Sequence, residues 1–188
     1  FWVERGDTSY KYLQINDVNT NGARLNDIQI DAEYDIVAVS DYRCGLITKQ
    51  VLQFIRQLKG KTFAASQVSS HNNNFMKYFG FNRFVMNKSE AKTLVNKVHP
   101  KFEDFSFLGT NGIYITDGEN GCKKYAPNSL NIYNSKNVKV KNVIGAGDIF
   151  YAVLLASDED ADLANYIAGK YVSSDIKNDF DPLEYTDE

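Results

Sequence analysis

Apolar positions along the chain switch between two periods. Asp35–Ser40 (DIVAVS) and Lys61–Ser66 (KTFAAS) are short, nearly continuous apolar runs, the pattern of parallel strands covered on both faces. Between them, Val51, Leu52, Ile55 and Leu58 fall on one face of a helix over Lys49–Lys59, and Gly60 ends it. Phe84–Met86 reads as a short strand. Lys88–Val98 then repeats the helical spacing, with Ala91, Leu94, Val95 and Val98 at i, i+3, i+4 and i+7. Gly112–Thr116, Cys122–Ala126 and Leu130–Tyr133 read as successive strands, with turns at Asp117-Gly118 and Pro127-Asn128. Ile149–Ser157 and Leu163–Ser173 read as helices. Near the start, Tyr10–Asn16 has the aromatic and β-branched content of a strand, and Asn19–Asn26 is a polar loop around Gly22. His71–Gly80 is Asn-rich and irregular, with one helical turn.

Strands alternating with helices predict an α/β fold around a mostly parallel sheet. The hairpin-like strands between Gly112 and Tyr133 add an antiparallel edge to it. No internal repeat or low-complexity block interrupts the pattern.

Composition narrows the function classes. The chain has 188 residues, with hydrophobic residues at 43% and charged residues at 24%, an ordinary balance for a globular domain. Its formal net charge is −3, so nothing points to nucleic acid or anionic lipid as a partner. No apolar run is long enough to span a bilayer, and no segment reads as a signal peptide. Cys44 and Cys122 form no C-x-x-C pair, which fits a reduced, cytoplasmic setting. With only His71 and His99, a zinc site or a histidine-based triad is not expected. The chain opens Phe1-Trp2-Val3-Glu4-Arg5, without Met and in mid-pattern, which reads as an internal piece of a longer polypeptide. The acidic stretch from Asp175 onward reads as a solvated tail.

Chemistry concentrates at Gly145-Ala146-Gly147-Asp148, which precedes the apolar run Ile149–Ala156. Small residues let backbone N–H groups approach a ligand, and the helix that follows puts those groups at its N-terminus, an anion site. A carboxylate beside a phosphate cradle can accept a hydroxyl proton while a phosphoryl group moves. On these residues alone the run is equally a tight strand-to-helix turn.

In context, Asn142-Val143-Ile144-Gly145-Ala146-Gly147-Asp148-Ile149-Phe150 resembles the second signature of the ribokinase/PfkB family of carbohydrate kinases, roughly Asp-Thr-x-Gly-Ala-Gly-Asp-x-Phe. The resemblance implies Asp148 as catalytic base and the amides of Gly145, Ala146 and Gly147 as the anion hole. Asn142 and Val143 replace the leading Asp and Thr, which is expected to weaken the loop's own hydrogen bonding. Val85-Met86-Asn87-Lys88-Ser89-Glu90 is similar to the family's Pro-Asn-x-x-Glu segment, with Met86 in place of Pro. There Asn87 and Glu90 would organise Mg2+ and the nucleotide phosphates through water. The same two residues form a capping box for the Lys88 helix, and both roles can coexist. Thr116, Gly118 and Gly121 keep a Thr-x-Gly-x-x-Gly turn that lies against the nucleotide in the family; read alone, they make an ordinary hairpin. Asn165 stands where family members often carry an Asn near the adenine; as a helix residue by itself it has no functional weight.

A fifth segment, Ser40-Asp41-Tyr42-Arg43-Cys44-Gly45-Leu46-Ile47-Thr48, is similar to the Ser-Asp-Tyr-x-Lys-Gly-x-Leu-Thr segment of heptose-phosphate kinases, with Cys44 in place of Lys. It implies Asp41 and Arg43 on the substrate side; the plain alternative is a strand end with Asp41 solvated. These kinases carry Asp-Pro-Lys after the next strand, where this chain has Ser66-Gln67-Val68.

The resemblance runs from about Asp35 to about Ser173 and implies a ribokinase-like three-layer α/β/α fold. Residues 1–20 would be the remnant of a β lid, 30–174 the nucleotide-binding part, and 175–188 an acidic tail. The implied activity is ATP-dependent phosphorylation of a sugar or sugar-phosphate hydroxyl, with ATP and Mg2+ as cofactors. Such kinases are often homodimers joined through the lid. Two alternatives stay open: a kinase-like domain that binds nucleotide or a protein partner without catalysis, and a nucleoside or vitamin kinase of the same superfamily. By the same resemblance, the acceptor site would fall largely on residues upstream of Phe1.

Overall fold

The computed structural model describes residues 2–5, 8–11, 33–42, 47–66, 74–98, 105 and 108–174. In chain order the strands are β1 (Trp2–Arg5), β2 (Thr8–Lys11), β3 (Ile36–Asp41), β4 (Lys61–Ser66), β5 (Arg83–Asn87), β6 (Ile113–Thr116), β7 (Cys122–Ala126) and β8 (Ser129–Tyr133). The helices are α1 (Lys49–Ile55), α2 (Lys88–Val98), α3 (Ala146–Ala156) and α4 (Ala161–Ser173). The fold is α/β, with a mixed, mostly parallel six-stranded sheet in the order β3-β4-β5-β6-β7-β8. Parallel pairing runs Ile36↔Lys61 through Asp41↔Ser66 and Phe63↔Arg83 through Ala65↔Val85. The links from β6 to β7 and from β7 to β8 are too short for a parallel crossover, so these strands form the expected antiparallel edge. β1 and β2 pair separately as an antiparallel hairpin, with Trp2 opposite Lys11 and Arg5 opposite Thr8.

The chain divides into two compact units. One holds β3, β4, β5, α1, α2, most of β6 and residues 125–130; the other holds β1, β2 and residues 116–124 and 131–174, including α3 and α4. In the first unit, Val39, Ala64, Phe84, Met86 and Ile113 from the strands pack with Ala91, Leu94 and Val95 from α2 and with Phe75, Tyr78 and Leu108 from the connections. This is the face that the i, i+3, i+4 spacing of α2 selects. Helix α1 buries no residue fully; Leu52 and Ile55 only half-cover the core. Gly60 follows at φ 129°, where a side chain would strike the Tyr34 carbonyl. In the second unit, α3 and α4 pack on each other and bury Phe150, Val153 and Leu154 with Ala164, Ile167 and Val172.

Several boundaries move. Helix α1 stops at Ile55 rather than Lys59, because residues 56–58 close as turns with Gln57 and Leu58 bonding three residues back. The initial strand shifts to Thr8–Lys11, with Trp2–Arg5 added as its partner; residues 12–16 of the expected strand lie outside the described residues. Helix α3 begins at Ala146, three residues before the expected start, because Gly145 adopts a left-handed φ of 84° as its N-cap and Ile149 N–H reaches the Gly145 carbonyl. Helix α4 begins at Ala161, capped by Asp160, whose side chain accepts from Leu163 N–H at 2.9 Å. The single helical turn expected within His71–Gly80 is the 3-10 turn Asn74–Tyr78. Arg43, Cys44, His71, His99, the loop at 19–26 and the tail from Asp175 all lie outside the described residues.

Candidate active site

The Gly145 loop is built from its backbone outward. Asn142 Oδ1 accepts from Ile144 N–H at 2.9 Å, an Asx-type bond. The asparagine therefore supplies one acceptor within the loop. Lys141 and Asn142 N–H groups both donate to the Val172 carbonyl, at 2.8 and 3.1 Å. Val172 lies in the last turn of α4, where carbonyls have no intrahelical donor, so the loop and the helix end satisfy each other. The turn closes with Ala146 N–H donating to the Val143 carbonyl at 3.2 Å. Of the three amides expected to form an anion hole, Ala146's is thus already engaged by the loop. Gly147 stands next in the first turn of α3, on the exposed surface, where amides lack an intrahelical acceptor.

Asp148 follows, also exposed, in the same first turn. A carboxylate there is favoured by the helix dipole whatever else it does.

Thr116, Gly118, Gly121, Ala146, Gly147 and Asn165 line one cleft of about 480 Å³. These positions come from three separate sequence segments, and the fold of the second unit brings them together. The β6–β7 connection is not the two-residue Asp117-Gly118 turn expected. It is a longer loop in which Asp117 N–H donates to the Gly121 carbonyl at 2.8 Å, around a 3-10 turn over Gly118–Asn120. Gly121 sits at φ 78°, and a side chain there would collide with the Tyr133 carbonyl. Asn165 is 8% exposed, and its Nδ2 donates to the Tyr133 carbonyl at 3.1 Å, tying α4 to the end of β8.

Sequence reasoning missed the irregular stretch that supplies much of the remaining wall. Ser135, Lys136, Val138 and Val140 line the cleft, with Phe150 and Val172 completing an apolar side. Ser135 Oγ donates to the Glu119 carbonyl, fixing this stretch to the glycine turn. Lys136 Nζ lies 4.3 Å from the Tyr166 ring centroid. The available signal was Lys136-Asn137-Val138-Lys139-Val140-Lys141, lysines interleaved with valines just before the Gly145-Ala146-Gly147 run.

The other expected site residues belong to the first unit. Asn87 and Glu90 form a reciprocal capping box: Glu90 N–H donates to Asn87 Oδ1 and Asn87 N–H donates to Glu90 Oε2, both at 2.8 Å. Asp41 is 4% exposed, so the alternative of a solvated strand end is wrong. Its Oδ2 accepts from Tyr78 Oη at 2.6 Å and pairs with Lys77 Nζ at 2.6 Å. Among the described residues, no group of three or more His, Cys, Asp or Glu could hold a metal ion, and no helix is long and apolar enough to cross a membrane.

No protein-family model matches the chain, and neither does any curated protein. Solved structures do. A fructokinase from Vibrio cholerae O395, bound to fructose, ADP and calcium, superposes with a TM-score of 0.66 at 18% identity, covering 82% of this chain and 60% of its own. Aminoimidazole riboside kinase from Salmonella enterica, bound to aminoimidazole riboside and an ATP analogue, gives 0.60 at 17% identity, with 77% and 58% covered. A protein from E. coli designated a ribokinase II, in complex with ATP and Mg2+, gives 0.64 at 14% identity, with 76% and 54% covered. The chain spans a little over half the length of these proteins. It is structurally similar to carbohydrate kinases of the ribokinase/PfkB type, and its fold is ribokinase-like.

Proposed function

We propose that this chain carries the nucleotide and phosphoryl side of an ATP-dependent kinase acting on a sugar hydroxyl. The observation that carries this reading is the single cleft lined by Thr116, Gly118, Gly121, Ala146, Gly147 and Asn165. Its chemistry fits a nucleotide. Val138, Val140, Phe150 and Val172 offer an apolar wall to a base, and the α3 N-terminus offers partial positive charge to phosphates. Gly147 N–H would hold a phosphoryl oxygen, and Gly145 would shape the turn that presents it. Asp148, exposed in that turn, would accept the acceptor's hydroxyl proton.

Mg2+ would neutralise the phosphates when bound. Within the first unit, Asn87 and Glu90 offer oxygen ligands of the kind a hard cation takes. Because the capping box uses Asn87 Oδ1 and Glu90 Oε2, these residues would hold the ion chiefly through its waters. A sugar phosphate of the heptose type remains the finer reading for the acceptor, resting on the Ser40–Thr48 segment. The likeness to aminoimidazole riboside kinase supports a nucleoside-like acceptor as the second reading.

The test uses the protein that carries this chain. With ATP and a panel of a neutral sugar, a sugar phosphate and a nucleoside, ADP release identifies the acceptor. Asp148→Asn should then lower turnover by about 10²-fold or more while ATP affinity stays nearly unchanged. Turnover by the Asn variant at the parent rate would remove Asp148 from the role of base. ATP binding with no transfer to any acceptor would leave a nucleotide-binding domain without catalysis.

A further inference from the structure

Tyr171 lies in the last turn of α4, half-buried, and does not belong to any of the motifs that mark the cleft. Its hydroxyl oxygen stands 2.6 Å from where a Cβ on Gly145 would be, and its Cζ and Cε1 stand 3.3 and 3.4 Å from that point. The phenol therefore occupies the side-chain space of Gly145. Neither Tyr171 nor Gly145 lines the cleft, whereas Ala146, Gly147 and Val172 do. The ring thus packs against the loop from outside the cleft. The neighbouring Val172 carbonyl accepts both the Lys141 and Asn142 amides, so two consecutive residues of α4 grip the loop, one by hydrogen bonds and one by packing.

We propose that Tyr171 is a positioning residue for the phosphate cradle: it fixes the left-handed turn at Gly145 and so sets the direction of the first-turn amides of α3. The consequence for ligand binding rests on the nucleotide reading above. Preorganised amides bind an anion without a reorganisation cost, so loosening the turn should weaken phosphate binding and spare the base. Gly145 carries two constraints. Its φ of 84° disfavours any side chain, and the Tyr171 hydroxyl fills the place where a Cβ would go.

The experiment has two arms. In the first, the affinities of a non-hydrolysable ATP analogue and of adenosine are measured for the parent and for Tyr171→Leu. Adenosine has no phosphate to reach the cradle. Loss of about tenfold for the analogue, the scale of one hydrogen bond to a charged group, with adenosine unchanged, supports the proposal. An equal loss for both ligands, or none, overturns it. In the second arm, thermal midpoints are compared for the parent, Tyr171→Phe, Gly145→Ala and the double variant. Removing the hydroxyl removes the nearest atom, so Tyr171→Phe should cost less in the Gly145→Ala background than in the parent. An equal or larger cost in that background overturns the contact on which the proposal stands. If the parent binds neither ligand, the nucleotide reading fails, and the second arm still decides whether Tyr171 sets the turn.

Discussion

Asp41 ends β3 almost fully buried, and a buried carboxylate is tolerated when it is paired and hydrogen-bonded. Tyr78, itself 0% exposed, donates its hydroxyl to Asp41, and Lys77 adds a charge from the same 3-10 turn. The two partners contribute differently. Tyr78→Phe removes one hydrogen bond and leaves the ion pair, which should cost about 1–2 kcal/mol. Lys77→Met takes that cation from a buried carboxylate. It should cost about 3 kcal/mol, the low end for a broken buried pair because the lysine side chain is 31% exposed. Denaturant midpoints of the two variants separate the contributions; equal losses would mean that the charge of Lys77 adds nothing beyond a neutral contact. From sequence, Asp41 was legible as a candidate substrate contact or as a solvated strand end, not as a buried ion-pair partner. What it touches depends on Lys77 and Tyr78, more than 30 residues away in the chain and not marked by any local pattern.

Elements were read well where one local rule dominated and poorly where a distant contact did. Helix α2 follows from its spacing and its cap, and both are present. The start of α3 was placed too late because a glycine N-cap has no side-chain signature; the left-handed turn at Gly145 follows a segment hydrogen-bonded to the end of α4. The Asp117-Gly118 turn was too short a reading because Gly121, rather than Gly118, is pressed against the backbone at the end of β8. The capping box at α2 also allows its structural and metal-linked roles to be separated. Asn87→Ala removes the cap acceptor and should destabilise the protein by about 1 kcal/mol. Glu90→Gln keeps a capping-box residue at the same position while removing the charge. It should leave the thermal midpoint nearly unchanged but raise the Mg2+ concentration needed for half-maximal ADP release. If Glu90→Gln destabilises the protein as much as Asn87→Ala, with Mg2+ dependence unaltered, Glu90 serves α2 alone.

At the scale of the molecule, the sheet ends at β8, whose residues Ser129–Asn131 and Ile132 are exposed. Leu130 is 47% exposed and Ile132 57%, two residues apart and so on one face of the strand. From Ala126 through Ser135 the sequence carries no charge, and β8 has no proline. Among the described residues no strand pairs with the outer side of β8, and an open strand edge beside apolar side chains promotes edge-to-edge association. The turn signals between successive apolar runs already marked Leu130–Tyr133 as part of an antiparallel edge, and the order of the sheet puts β8 outermost in it. A lysine on the strand should oppose association without touching the core, because Ile132 contributes little burial. Ile132→Lys is therefore expected to keep the thermal midpoint within about 0.5 kcal/mol of the parent's stability, as surface changes usually do, while lowering light scattering at high protein concentration. A marked loss of stability would mean that Ile132 is covered in solution and that β8 already has a partner along its face.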